Sequence, residues 1–209
     1  MRVCFKILRD HYPFWLAAGF LVFFLLMGVD PVSRKVWWAE TIPVIIVFVG
    51  LVISYPWFRF SNAAYSLMAV WLFLHTIGGH YTFAGVPFDM FSHAFGFERN
   101  HFDRIGHFSV GFYAFAIIEW LLRRHLCGPV LASLFGILAI MAVAAAYEMI
   151  EWWYAVVEGG EAGLAFLGSQ GDIWDAQKDM LADTLGAITA VGLFWGMRPH
   201  LRGLPRHIG

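Results

Sequence analysis

The run "VLASLFGILAIMAVAAAY", Val130–Tyr147, is 18 residues long and carries no charge. A stretch of that length reads as a helix in lipid, because about 20 apolar residues rising 1.5 Å each cover the hydrocarbon core of a bilayer. Working outward on both sides, the same reading recurs. Six transmembrane helices are expected, at about 13–29, 42–58, 62–79, 105–122, 130–153 and 177–197. Composition agrees with a membrane protein. The chain is 60% hydrophobic and 14% charged, with 10 Trp and 21 Phe in 209 residues, and its mean hydropathy is +0.66. A soluble domain of this size has no use for so much apolar surface.

The expected fold is therefore all-α: one polytopic bundle over residues 1–209, with the lipid bilayer as its first partner. The opening "MRVCFKILRDHYPFWLAAGFLVFFLLMGVDP" has the basic start of a signal peptide. Its apolar run is long and lacks an A-x-A-like cleavage site, so it is expected to stay as the first helix. The net charge of −1 gives no case for nucleic acid.

Basic residues set the expected orientation. Nine of them (Arg2, Lys6, Arg9, Arg59, Arg123, Arg124, Arg198, Arg202 and Arg206) fall on one side of the six spans. Five (Arg34, Lys35, Arg99, Arg104 and Lys178) fall on the other. Both termini are expected in the cytoplasm. Cys4 and Cys127 then lie on the reducing side, and no disulfide is expected.

With that topology the unusual polar residues gather at the extracytoplasmic end. The third helix ends "LHTIGGHYTF" with His75 and His80. The loop that follows carries His93, Arg99, Asn100 and His101, with Phe91 and Phe95 dipped into the interface. The fourth helix opens "DRIGHF", which puts Asp103 and His107 one turn apart on one face. The fifth ends "YEMIEWW", doing the same for Glu148 and Glu151. The sixth opens from "SQGDIWDAQKDMLAD", whose Asp172, Asp175, Asp179 and Asp183 share one helical face.

Each feature also has an ordinary explanation. Asp172 and Asp175 suit a helix N-terminus as caps. His75 alone reads as a hydrogen-bonded bundle histidine, and Glu148 with Glu151 as a helix-end pair. Glu119 with Arg123 reads as an ordinary i,i+4 ion pair at the cytoplasmic end. Trp37, Trp38, Trp57, Trp120, Trp152 and Trp153 read as an interfacial belt. Asp179 and Asp183 are harder to explain so, because carboxylates inside a span cost several kcal/mol and normally have a partner.

At "RNHFDRIGHF", "YEMIEWW" and "FLGSQGDIWDAQKDMLADTLGA" the chain resembles the uncharacterised bacterial YjdF-type inner-membrane proteins, over nearly its whole length. That resemblance implies a location more than a reaction. A looser likeness is to VanZ-type proteins, whose pattern runs Asp-Lys-x-x-His, then Glu-x-x-Gln, then an Asp before Asn-Thr-x-Gly. Asp103, Arg104 and His107 match the first element, with Arg for Lys. Glu148 matches the second, with Glu151 for Gln. Asp179 and the Asp183, Thr184, Gly186 run match the third, with Asp183 for Asn. This likeness implies a role at the cell envelope.

Three functions are open to such a chain. The first is a metal-dependent hydrolase or transferase of the membrane, with a lipid or lipid-linked envelope substrate. His75, His80, Asp103, His107, Glu148, Asp179 and Asp183 would be the metal-ligand candidates. Glu151 or Asp175 would act as the catalytic base, and Arg99, Arg104 and Lys178 would hold a phosphate. Three basic residues face seven acids there, and the deficit is the reason to expect a divalent ion of unspecified identity. The second is a non-catalytic binding or scaffold protein of the envelope. The third, a transporter, is disfavoured because the polar residues stop at one end.

Overall fold

A computed structural model describes residues 11–88, 94 and 96–197. The readings made for Arg2, Cys4, Lys6, Arg9, Phe91, His93, Phe95, Arg198, Arg202 and Arg206 lie outside them. The described residues form an all-α bundle: α1 (Tyr12–Met27), α2 (Arg34–Ser54), α3 (Asn62–Tyr81), a 3-10 turn (Phe83–Gly85), α4 (Phe102–Val110), α5 (Tyr113–Arg123), α6 (Pro129–Glu158), α7 (Gly160–Leu167) and α8 (Asp175–Met197). By length and apolar character α2, α4 with α5, α6 and α8 are each long enough to cross a membrane, and α1 is a shorter apolar helix. The central α3 is 20 residues long and carries His75, Thr76 and His80.

The helices begin where local chemistry stops the preceding loop. Ser33 accepts from Val36 N at 3.4 Å to start α2, and Ser61 accepts from Ala64 N at 3.2 Å to start α3. Pro129 opens α6 at a position whose N–H needs no partner. Outward faces are apolar: Phe14, Leu25, Ile46, Val130, Leu138 and Ile188 are all exposed. On a soluble protein such a belt would aggregate, whereas in lipid it is the solvated surface.

Two boundaries differ from those expected. The second helix starts at Arg34 rather than near 42, because the Ser33 cap and the burial of Val36 and Trp37 extend it. That brings Glu40 inside the helix. Trp37 consequently packs on Phe24 at 5.4 Å between centroids and is no belt residue, although Trp38, Trp57, Trp152 and Trp153 are exposed. The fifth helix runs on to Glu158 and turns back through α7, held by Tyr154 against Phe166 at 4.3 Å.

α3 packs on α1, α2, α4 and α5, and α8 packs on α4, α5 and α6. The core around Met68, Phe115, Ile118 and Phe194 lies where α3, α5 and α8 meet, with Phe115 and Phe194 edge to face at 5.1 Å. One contact positions the site above it. At the break between α4 and α5, the Gly111 backbone lies against that of Gly186 and Ala187. A Cβ on Gly111 would run into the Ala187 nitrogen, and one on Gly186 into the Phe108 carbonyl. Small residues let helices approach this closely in lipid, where packing and not water exclusion holds them together.

Candidate functional site

The Gly111–Gly186 crossing brings the polar face of α4 against the aspartate face of α8. His107 and Asp183 meet there, Nδ1 to Oδ2 at 3.0 Å, and Asp183 is almost wholly buried. A carboxylate on Nδ1 assigns the proton to that nitrogen and leaves Nε2 as the free lone pair. Nε2 lies 3.6 Å from Asp103 Oδ1 and 3.9 Å from Asp179 Oδ1. Ligand atoms from Asp103, His107 and Asp179 all fall within 4.8 Å of one another. Two ligands about 2.1 Å from one ion at a tetrahedral angle stand about 3.4 Å apart, so the triad has metal-site dimensions.

Two arginines brace the acids. Arg99 lies 2.6 Å from Asp175 Oδ1, 3.7 Å from Asp103 and 3.8 Å from Asp172. Arg104 donates to Asp175 Oδ1 at 2.5 Å, lies 3.5 Å from Asp172 and pairs with Asp179. Arg99 also donates to the Ser169 carbonyl at 2.7 Å, while Asn100 and Gln170 exchange hydrogen bonds of 3.1 and 3.0 Å. The third and fifth connections are thereby stitched together over the cluster. At its rim Lys178 donates to Asp172 Oδ2 at 2.6 Å, and that hydrogen bond holds the Asp172 carboxyl below its ordinary range. Burial, reinforced by Arg99 and Arg104, lowers His101.

This geometry sorts the expected residues. Asp103, His107, Asp175, Asp179 and Asp183 converge, and His75 and Glu151 line the same cavity as His107. Glu148 faces inward with a buried Oε1 that has no hydrogen-bond partner among the described residues. His80 stands apart: its Nδ1 is 2.6 Å from the Met27 carbonyl and its ring meets Trp37, so it belongs to the α1–α2 packing. Asp175 is clamped by two guanidiniums and so is poorly placed as a base. Arg99 and Arg104 are engaged by acids, and Lys178 is half-exposed on Asp172, so none of the three is a free phosphate holder. Asp183 orients His107 through Oδ2, though its Oδ1 is buried without a partner.

Glu40 was missed. It is 1% exposed, lies 3.1 Å from His75 Nε2 and accepts from the Tyr147 hydroxyl at 3.1 Å. Gly79 makes room for it, since a Cβ there would lie 3.1 Å from Glu40 Cβ. Its signal was an acid in "WWAETIP", and starting the helix at 42 placed that acid in a loop.

An all-helical bundle with a lipid-facing apolar surface and a buried acid–imidazole cluster defines a multi-pass membrane protein. Residues 12–200 match the family described as Predicted membrane protein (DUF2238), and the chain belongs to that family. It is 34% identical over 183 residues, 86% of each chain, to the inner membrane protein YjdF of Escherichia coli (strain K12). Neither match is to a VanZ-type protein, and that likeness carries nothing further. No solved structure matches the chain.

Proposed function

We propose that this protein is a metal-dependent hydrolase or transferase that acts on a lipid or lipid-linked envelope substrate at the outer face of the inner membrane. The observation that supports it is the His107 arrangement: Nδ1 held by the buried Asp183, and Nε2 aimed between Asp103 and Asp179. A carboxylate behind a histidine fixes its tautomer and raises its basicity toward a metal. Asp103, His107 and Asp179 are the ligands. A mixed nitrogen and oxygen set suits Zn²⁺, Mn²⁺ or Fe²⁺. Such an ion would supply Lewis acidity and an acidified water.

Glu151 is the base in this reading. It is 8% exposed, lines the cavity and has no ion pair or hydrogen bond to a described residue. Arg99 and Arg104 hold Asp103, Asp175 and Asp179 in place. The scaffold alternative draws on the same arginines, since a network that stitches two loops is useful without chemistry.

Elemental analysis of detergent-purified protein separates the two. Stoichiometric metal, lost in Asp103→Ala and His107→Ala, is the expected result. Metal-free protein whose melting is indifferent to chelator leaves the scaffold, because a bound ion stabilises by mass action. The outer placement rests on the basic residues, and an active alkaline-phosphatase fusion after Gly209 would reverse it.

A further inference from the structure

Below the His107 cluster lies a chamber of about 530 Å³. Its wall follows one face of α4 and α5 from Asp103 to Trp120, a length of about 25 Å at 1.5 Å per residue. A space of that volume and length has room for a hydrocarbon chain, whose carbons make contacts at about 3.5–4 Å. The chamber is almost entirely apolar below its head. It also has a side opening: α2 and α6 face each other across it, and two of its lining residues, Val143 and Trp120, are 55% and 40% exposed. In a membrane that opening meets lipid tails.

The chamber also holds unpartnered polar groups. Trp71 lines it with an indole N–H that is buried and has no acceptor among the described residues. Buried orphan N–H groups are rare in native proteins and call for an explanation. The head is lined by Asp103, Asp183 and Glu151, with His75 and His107, and by no Lys or Arg. Among the described residues Asp183 Oδ1 is buried without a hydrogen-bond partner, and Glu151, 8% exposed, lines the same head. A ligand that satisfies these groups has an apolar chain, an acceptor near its upper end and a cationic donor above that. An anionic head would meet three carboxylates, with His75 and His107 already turned to acids.

We propose that the chamber binds the acyl chain of a membrane amphiphile, with its carbonyl at Trp71 and its ammonium head at Asp183 and Glu151. The chain enters sideways from the bilayer between α2 and α6. This rests on reading the cluster as a substrate site, but not on the metal.

The test uses the full chain in detergent with chelator present, and probes that share one terminally brominated acyl chain. One probe is the monoamide of ethylenediamine, which carries carbonyl and ammonium. The others end in phosphate or in a methyl ester. Quenching of tryptophan fluorescence by the bromine reports occupancy, since Trp71 and Trp120 line the chamber.

The amide-ammonium probe is expected to quench saturably and at least about tenfold more tightly than the phosphate probe. Ala144→Phe in the wall and Val143→Trp at the mouth should each weaken it by about tenfold, and Glu151→Gln should erase the preference for ammonium. Equal quenching by all three heads, or unchanged binding in Val143→Trp, overturns the proposal, because the chains then only coat the outer belt. If Ala144→Phe does not fold, the exposed Val143 position and the wild-type head series still decide. Saturable binding in protein that elemental analysis finds metal-free would keep the chamber and remove the metal. Bound metal without such binding would do the reverse.

Discussion

Two buried acids on one continuous span, Glu119 and Asp103, sit at opposite ends of the bundle and are treated in opposite ways. At the Glu119 end every oxygen is used. Oε1 accepts from Ser61 N at 2.8 Å and Arg123 at 2.6 Å, and Oε2 accepts from the Ser61 hydroxyl at 2.7 Å. Arg123 continues to the Arg59 carbonyl at 2.7 Å. This is more than the surface i,i+4 pair that spacing implied, because it locks the start of α3 onto α5. At the Asp103 end, arginines neutralise part of the charge, and Asp183 Oδ1 and Glu148 Oε1 have no hydrogen-bond partner among the described residues. A closed network stabilises a fold, whereas an open one inside a span is the place to test for a ligand.

The comparison is broken most forcefully at Glu119. Glu119→Ala strands the part-buried Ser61 N–H and leaves Arg123 only the Arg59 carbonyl, and removing the buried acid of such a network costs about 3 kcal/mol or more. Thermal unfolding in detergent should show the largest loss of the set here, without any change in metal content. If Glu119→Ala melts like wild type, the closed end is not structural.

Next comes the crossing that positions the open end. Gly186→Ala pushes a methyl group into the Phe108 carbonyl and should cost about 1–3 kcal/mol, as overpacking does. It should also weaken chelator-sensitive stabilisation, because His107 is moved off Asp183. A variant that is destabilised yet keeps its full response to chelator would separate the helix contact from the site.

At the open end itself stability should move little, or the other way. Glu151→Gln neutralises a buried carboxylate that has no partner, so melting in chelator should be unchanged or raised. Asp103→Asn should behave alike in chelator and lose the metal-dependent increment. A fall as large as that of Glu119→Ala would mark these acids as scaffold.

The smallest effect belongs to Lys178. Asp172 is depressed below its ordinary value of 3.8 by Lys178, so its contribution is present above that value and is lost as pH falls through the depressed one. Lys178→Ala should therefore differ from wild type only slightly at neutral pH, and not at all in strong acid. Melting curves taken across that pH range test it.

By itself the sequence determined the fold class, the approximate place of each helix and the face on which Asp175, Asp179 and Asp183 stand. Each of these follows from local length, apolar content or the 3.6-residue period, all of which a single helix in lipid obeys. It also put Asp103 with His107. Only the tertiary structure decided which helices those residues meet. Asp183 proved to be the partner of His107 because two glycines on different helices let their backbones touch. Asp175 proved to be bound to Arg99 from a loop and Arg104 from α4, and His80 to a carbonyl of α1. Glu40 escaped because its helix is prolonged by packing of Trp37, a contact between distant segments that no local pattern records. The chamber was beyond sequence reading for the same reason: its apolar walls look like any lipid-facing stripe until α2, α3, α4, α5 and α6 enclose them.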